Sequence, residues 1–285
     1  MSKVGAYFKL ARIDHGVIAA VAVAVGYAIG ANGWYAVLRP PAILAMVVAI
    51  LAEIALFAFN DVLNIEEDRI NAPDRPLVRG EVSVREAVAL GAACTALSLM
   101  LAALLGIAPL TILAIALTSG MLYNFQLKRR GLLGNVVVAL DTSLPFTFGS
   151  TVVRGFNVPL TVTLFTLIAF TATLGREVLK GIRDLEGDLR AGIRTLAATR
   201  GVKAASRVSS ALLLAAPFLS IAPLPLIGGW GKCVVYTILV SVTDFLFTYT
   251  AISILLKPER GVAEIGRRLT LLGMLTGTLA FASAA

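Results

Sequence analysis

Residues 42–59 read AILAMVVAILAEIALFAF, a single glutamate among eighteen otherwise apolar positions. No other feature constrains the chain as much. An α-helix needs roughly 20 predominantly apolar residues to cross the hydrocarbon of a bilayer, and in lipid only a helix or a closed barrel satisfies its own backbone. Nine such stretches can be marked, near 14–34, 41–60, 86–106, 108–126, 132–153, 158–180, 204–222, 224–256 and 268–284. The eighth is longer than one crossing requires and enters through the Pro/Gly-rich APLPLIGGWGK. Composition agrees: 58% of residues are hydrophobic and 15% charged, where soluble domains carry roughly a quarter charged residues. The expectation is an all-α, polytopic membrane bundle of about nine transmembrane helices, a single integral-membrane domain over residues 1–285.

Cytoplasmic loops collect Lys and Arg, which orients the chain. With the N-terminus inside, 22 of the 25 basic residues fall on the inner segments, and only Arg39, Arg154 and Lys232 fall outside. The predicted location is therefore a multi-pass cell-membrane protein with a cytoplasmic N-terminus. The net charge of +8 is explained by this one-sided placement, so nucleic acid is not an expected partner. The first segment lacks the short apolar core and small-residue cleavage site of a signal peptide. Cys94 and Cys233 lie within spans and read as small buried hydrophobes. His15 is the one histidine, so it builds no metal site and reads as interfacial. Nothing in the sequence bears on oligomeric state.

The acids are more lopsided still. Fourteen of seventeen lie on the inner face or at its helix ends, none lies outside, and Glu53, Asp141 and Asp244 lie within spans. Charge inside a bilayer is costly and faces a bundle interior or a watery cavity, which predicts a central polar cavity open to the cytoplasm. Two clusters dominate. NDVLNIEEDRIN (60–71) follows the opening run directly, and GIRDLEGDLRAGIRTL (181–196) follows the sixth span. If the second helix runs on, Asp61, Asn64 and Asp68 fall at i, i+3 and i+7, one helical face. Glu177, Asp184 and Asp188 make a second stripe at i, i+7 and i+11, with Lys180 one turn before Asp184. Each cluster ends an even-numbered helix and leads into a polar, Arg-containing loop, the two motif loops covering about 61–85 and 181–203. They read as two copies of one supersecondary unit. Aligned carboxylates repel unless a cation lies between them. Carboxylate and amide oxygens suit Mg2+, which is commonly bound together with substrate phosphates, while Arg and Lys grip the remaining phosphate oxygens. The chemistry implied is a diphosphate held by Mg2+ at a membrane surface. The bland alternative is a pair of solvated, charge-balanced helix ends.

These residues resemble the UbiA-type intramembrane prenyltransferases. That family carries Asn-Asp-x-x-Asp-x-x-x-Asp on its second helix and Asp-x-x-x-Asp on its sixth. Here the first reads Asn60-Asp61-x-x-Asn64-x-x-x-Asp68 and the second Asp184-x-x-x-Asp188. The family's Tyr-x-x-x-x-Lys after the fourth helix is similar to YNFQLK, with Tyr123 and Lys128, and its basic residue opening the first helix is matched by Arg12. Asn64 departs from the pattern by replacing an aspartate. Its amide oxygen remains a ligand but brings no charge. INAPDRPLVRGEVS together with REVLKGIRDLEGDLRAGIRTL looks most like the archaeal-lipid branch, which moves a geranylgeranyl group onto geranylgeranylglyceryl phosphate. Branches with aromatic acceptors such as 4-hydroxybenzoate or naphthoate share the diphosphate site, and a haem-farnesylating branch fits less well.

The resemblance implies Mg2+ as cofactor, a prenyl diphosphate and a lipophilic acceptor as substrates, and the bilayer as partner. It makes Asp61, Asn64, Asp68, Asp184 and Asp188 metal ligands, and the four aspartates with Lys128 and Tyr123 the catalytic set. Lys128 neutralises leaving-group charge and Tyr123 offers its π face to an allylic cation. Arg12, Asn60, Lys180, Arg69 and Arg75 form the substrate-binding set, and first-loop arginines including Arg79 are candidates for an acceptor phosphate. Asp141 joins the set on its own account, as a mid-span acid, the alternative being a paired structural acid. Three rivals stand beside this reading. A different Mg2+-dependent membrane transferase, acting on nucleotide-activated lipids, would carry a longer, glycine-interspersed aspartate motif in one segment, which this sequence lacks. A transporter or channel with a buried acidic site would place its acids near the midplane. A soluble-type helical isoprenoid synthase would not carry nine spans.

Overall fold

The computed structural model describes residues 3–285, except the side chains at positions 70 and 71. The helices in chain order are α1 (Lys3–Ala11), α2 (Ile13–Gly30), α3 (Pro40–Leu63), α4 (Ile65–Asn71), α5 (Val84–Leu105), α6 (Ile107–Phe125), α7 (Leu132–Arg154), α8 (Leu160–Arg183), α9 (Leu185–Arg190), α10 (Leu196–Arg200), α11 (Val202–Ser220), α12 (Trp230–Leu256) and α13 (Arg260–Ser283). Among the described residues there is no strand. Among the described residues eight helices are long and apolar enough to cross a membrane, and they coincide with the first eight expected spans. The ninth expected span lies in α13, a helix of 24 residues whose first half carries Arg260, Glu264, Arg267 and Arg268.

The chain divides into two compact units, residues 1–125 with 145–158, and residues 126–144 with 159–285. The division falls at Pro145 inside α7, a residue that membrane helices tolerate better than soluble ones.

In the first unit α3 is the central helix, packing against α1, α2, α5 and α6. Its inward face is small: Ala45, Val48, Ala49 and Ala52 meet Ala19 and Val23 of α2, Ala102 of α5, Leu113 and Leu117 of α6, and Phe148 of α7. Small residues let helix backbones approach where lipid supplies no hydrophobic drive. The limit is reached where α2 meets the second half of α7. A Cβ added at Gly26 would strike the Phe146 backbone, and one at Gly149 the Val23 carbonyl. The loop after α4 is anchored by its own apolar residues: Leu77 and Val82 are buried with Ala6 and Leu10 of α1 and Ala87 of α5. Lys9 Nζ donates to the Asp74 carbonyl at 2.7 Å. A capping box of Ser83 and Glu86 starts α5 where the loop ends.

In the second unit α8 packs on α11 and α13, and α12 packs on both of those. Ser209 of α11 donates to the Gly175 carbonyl of α8 at 2.9 Å, and Ser210 to the Ala251 carbonyl of α12 at 2.8 Å. Phe165 stacks between Phe281 and Tyr236, at centroid distances of 4.0 and 5.9 Å. On α13, Gly266 faces Thr250 and Leu179, Gly273 faces Phe247 and Gly277 faces Thr243. That small-residue stripe beds α13 against α12 and α8.

Candidate functional site

Each unit builds one motif in the same way. A 24-residue helix ends, one residue breaks it, and a short helix follows: α3–Asn64–α4 in the first unit, α8–Asp184–α9 in the second. The breaking residues have φ −110°, ψ 18° and φ −92°, ψ 5°, the sparsely populated region between helix and strand. The hydrogen-bond frames match as well. Asn64 N–H reaches the Asn60 carbonyl at 3.0 Å, and Asp184 N–H reaches Lys180 at 2.9 Å. The next contacts are Asp68 N–H to Asn64 at 2.8 Å and Asp188 N–H to Asp184 at 2.9 Å. Asn64 is thus the counterpart of Asp184, and Asp68 of Asp188. The second helix does not run straight through its motif, as one continuous face would require. It turns once at Asn64, and the Asn64 side-chain amide secures the turn by donating to the Asn60 carbonyl at 2.7 Å.

In the first unit Asp61 and Asp68 are buried, at 2% and 6% exposure. Buried carboxylates require a counter-charge, and two guanidinium groups supply it. Arg12 Nη2 donates to Asp61 Oδ1 at 2.7 Å, and Arg75 Nη1 donates to the same oxygen at 2.8 Å and also to Asp68 Oδ2. The anchored loop is what turns Arg75 inward. Arg12 lies in the left-handed region at φ 42°, between α1 and α2, a backbone cost of about 1–3 kcal/mol for a residue other than glycine. Its guanidinium also lies over the Phe57 ring, 4.4 Å from the centroid, a cation–π contact. Burial presses the Arg12 guanidinium below its ordinary range, and Asp61 opposes the shift.

Asn60 donates its side-chain amide to Asn124 Oδ1 at 2.6 Å, and Asn124 in turn donates to the Leu56 carbonyl at 3.2 Å. The end of α6, which carries Tyr123, is thereby tied to the motif helix. Arg69 pairs with Glu66 at 2.9 Å on the exposed face of α4, and Arg79 with Glu81 at 3.5 Å.

In the second unit Arg183 clamps its neighbour Asp184 with both arms of its fork, Nε to Oδ1 at 2.6 Å and Nη2 to Oδ2 at 2.5 Å. Lys180 pairs with Glu177 at 2.8 Å. The 3-10 turn Leu127–Arg129 that bears Lys128 is held to the loop after α9, because Arg194 N–H donates to the Arg129 carbonyl at 3.2 Å. Gly131 has φ +57°, and a Cβ there would strike the Arg194 carbonyl, so the junction requires glycine. Asp141 is half-buried in the middle of α7.

The donor sets at both motifs are oxygen only, which suits Mg2+. Guanidinium groups already hold Asp61, Asp68 and Asp184 in the way a bound cation would, so these residues fit the ion. Among the described residues no three His, Cys, Asp or Glu side chains gather as a metal site. Mg2+ takes one or two carboxylates and completes its shell from water and phosphate.

Sequence reasoning assigns Arg12 and Arg75 to substrate binding, and in the structure both pair with acids of the first motif. It missed Asn124, although an asparagine beside Tyr123 at the end of an apolar helix is itself a signal. It also missed Arg183, which is adjacent to Asp184 in the sequence.

The profile of the UbiA prenyltransferase family matches residues 19–272. Digeranylgeranylglyceryl phosphate synthase of Archaeoglobus fulgidus is 35% identical over 277 residues, 97% of this chain and 94% of the relative. The enzyme of the same name from Saccharolobus solfataricus is 33% identical over 275 residues, covering 96% and 95%. Among solved structures, one described as digeranylgeranylglyceryl phosphate synthase in membranes superposes with a TM-score of 0.84 at 29% identity, covering 99% of this chain and 98% of that one. A UbiA homologue from Archaeoglobus fulgidus bound to GPP and Mg2+ shares the fold, with a TM-score of 0.68 at 19% identity over 97% and 99% of the two chains. With the profile spanning most of its length, this multi-pass membrane protein belongs to the UbiA prenyltransferase family.

Proposed function

We propose that the chain transfers a geranylgeranyl group from its diphosphate to geranylgeranylglyceryl phosphate, with Mg2+ as cofactor, in archaeal ether-lipid synthesis. The observation that carries this reading is the nearly full-length similarity, at about a third identity, to proteins named digeranylgeranylglyceryl phosphate synthase. The GPP and Mg2+ bound to the Archaeoglobus fulgidus homologue support the class of donor and the ion.

In this reading the two compact units act as one prenyltransferase domain. Asp61, Asn64 and Asp68 of the first motif and Asp184 and Asp188 of the second would hold Mg2+, and the ion would supply positive charge to neutralise a departing diphosphate. Arg12 and Arg75 are poised to hand their hydrogen bonds from the acids to phosphate oxygens, and Lys128 and Lys180 add charge as the C1–O bond breaks. The allylic cation that remains must be shielded from water, which membrane surroundings provide, and Tyr123 supplies a π face to stabilise it. Asn60, held by Asn124, orients the first motif. Arg69 and Asp141 serve substrate binding. The acceptor hydroxyl oxygen bonds to C1 as the bond from C1 to the diphosphate breaks, and its proton passes to the released diphosphate. The motif ends face the cytoplasm, a placement supported by the basic residues confined to one side.

The test supplies purified protein with radiolabelled geranylgeranyl diphosphate, Mg2+ and a panel of acceptors. Label should pass to the glyceryl phosphate lipid. Transfer only to 4-hydroxybenzoate or a naphthoate would overturn the choice of acceptor, and no transfer to any acceptor would overturn the enzyme reading.

A further inference from the structure

In the second unit α8 and α13 meet at Gly266, where an added Cβ would lie 3.0 Å from the Leu179 side chain. This close approach gathers Arg176, Lys180 and Arg183 of α8 with Arg267 and Arg268 of α13. Against these five cations stand three acids, Glu177, Glu264 and the Asp184 already clamped by Arg183, leaving an excess of two positive charges. Glu264 takes Arg267 and Arg268 at 3.0 Å each and Arg183 at 3.6 Å. Glu177 takes Lys180 at 2.8 Å but Arg176 only at 3.4 Å.

Arg176 is the member this arrangement leaves incomplete. Its side chain is 15% exposed, and it faces the like charges of Arg267 and Arg183. Its buried Nε–H has no hydrogen-bond partner. Buried donors in folded proteins almost always find an acceptor, and three arginines crowd together favourably only around an anion. The planar fork of arginine suits phosphate oxygens. The excess of two charges matches a phosphomonoester, which carries about −1.5 to −2 at neutral pH.

We propose that Arg176, Arg183 and Arg267 bind the phosphate of the lipid acceptor. This rests on the reading that the acceptor is a glyceryl phosphate lipid. Of the first-loop arginines expected in this role, Arg75 belongs to the first motif through Asp61 and Asp68, while Arg69 and Arg79 are largely exposed beside Glu66 and Glu81. Arg183 joins the cluster to the second motif through its clamp on Asp184. That is where an acceptor phosphate belongs, since a glycerol backbone keeps it a few bonds from the attacking hydroxyl. The donor's diphosphate is the other source of phosphate, and separate KM values distinguish the two.

Steady-state kinetics of full-length Arg176→Gln, Arg176→Lys and Arg267→Gln against wild type, with geranylgeranylglyceryl phosphate and its dephosphorylated alcohol as acceptors, provide the test. The Gln variants should raise KM for the phosphorylated acceptor about tenfold or more, the worth of one charge-assisted hydrogen bond. They should lose the wild-type preference for phosphate over alcohol and keep KM for the donor diphosphate close to wild type, while Arg176→Lys recovers part of the loss. A rise in donor KM of equal size would assign the cluster to the donor and overturn the proposal. No change in either KM would also overturn it, leaving the arginines structural. A wild-type protein that does not distinguish phosphate from alcohol would sink the acceptor reading itself, before any variant is compared. Should Arg176→Gln fail to fold, Arg267→Gln carries the test, its side chain being 27% exposed.

Discussion

Replacing Arg75 with alanine should destabilise the metal-free protein by an amount the structure bounds. Arg75 bridges Asp61 and Asp68, which are 2% and 6% exposed. Removing one partner of a buried ion pair costs about 3–5 kcal/mol. Two features reduce that here: the Arg75 side chain is 26% exposed, and Arg12 keeps its 2.7 Å bond to Asp61. A loss of about 2 kcal/mol follows, or roughly 4–8 °C in Tm for a chain of this size. Arg75→Lys should fall between, because an ammonium is a point charge without the two-armed fork. The assay is thermal unfolding of the detergent-purified proteins in EDTA, repeated with Mg2+ and a non-reactive diphosphate analogue, where the gap should narrow as ligand takes over the counter-charge. If Arg75→Ala melts in EDTA together with wild type, the reasoning is wrong, and the two acids are held by something other than the guanidinium.

The remaining predictions concern the motif residues and the helix contacts. Asn64→Asp removes the 2.7 Å bond to the Asn60 carbonyl and sets a carboxylate against it, so the variant should lose about 1 kcal/mol in EDTA and bind Mg2+ more tightly by calorimetry. Asp68→Ala and Asp184→Ala should each lower turnover by on the order of a hundredfold or more while eluting as folded protein on size exclusion; retained activity would remove them from the site. Gly26→Ala puts a methyl group into the Phe146 backbone, and overpacking of about 1–3 kcal/mol should appear as a lowered Tm and a smaller folded fraction.

The helices and the two motifs were legible because each rests on local sequence. Apolar length marks a span, and an acid cluster at its end stands out by spacing, which is how Asp61, Asp68, Asp184 and Asp188 enter the proposed site. The turn at Asn64 was hidden, since Asp61, Asn64 and Asp68 suit a continuous helix equally well and only the Asn64 amide bond to Asn60 reveals the break. The partners were hidden for a different reason. Arg12 reaches Asp61 across 49 positions of sequence and Asn60 reaches Asn124 across 64, and no periodicity connects residues on separate helices. Arg75 looked like a loop arginine free for phosphate. It turns inward because Leu77 and Val82 bury themselves against α1 and α5, a packing choice that a Pro-rich loop sequence does not display. The gathering of Arg176 with Arg267 likewise depends on Gly266 admitting Leu179, a contact between helices that are far apart in the chain.

The proposed function couples departure of the diphosphate to alkylation of a glyceryl phosphate lipid. Its most direct measurement is the stoichiometry of the reaction: diphosphate released and ether product formed, quantified together by mass spectrometry with Mg2+ and with EDTA. One digeranylgeranylglyceryl phosphate should form for each diphosphate when Mg2+ is present, and neither product in EDTA. Diphosphate released without ether product, or ether product formed undiminished in EDTA, would contradict it.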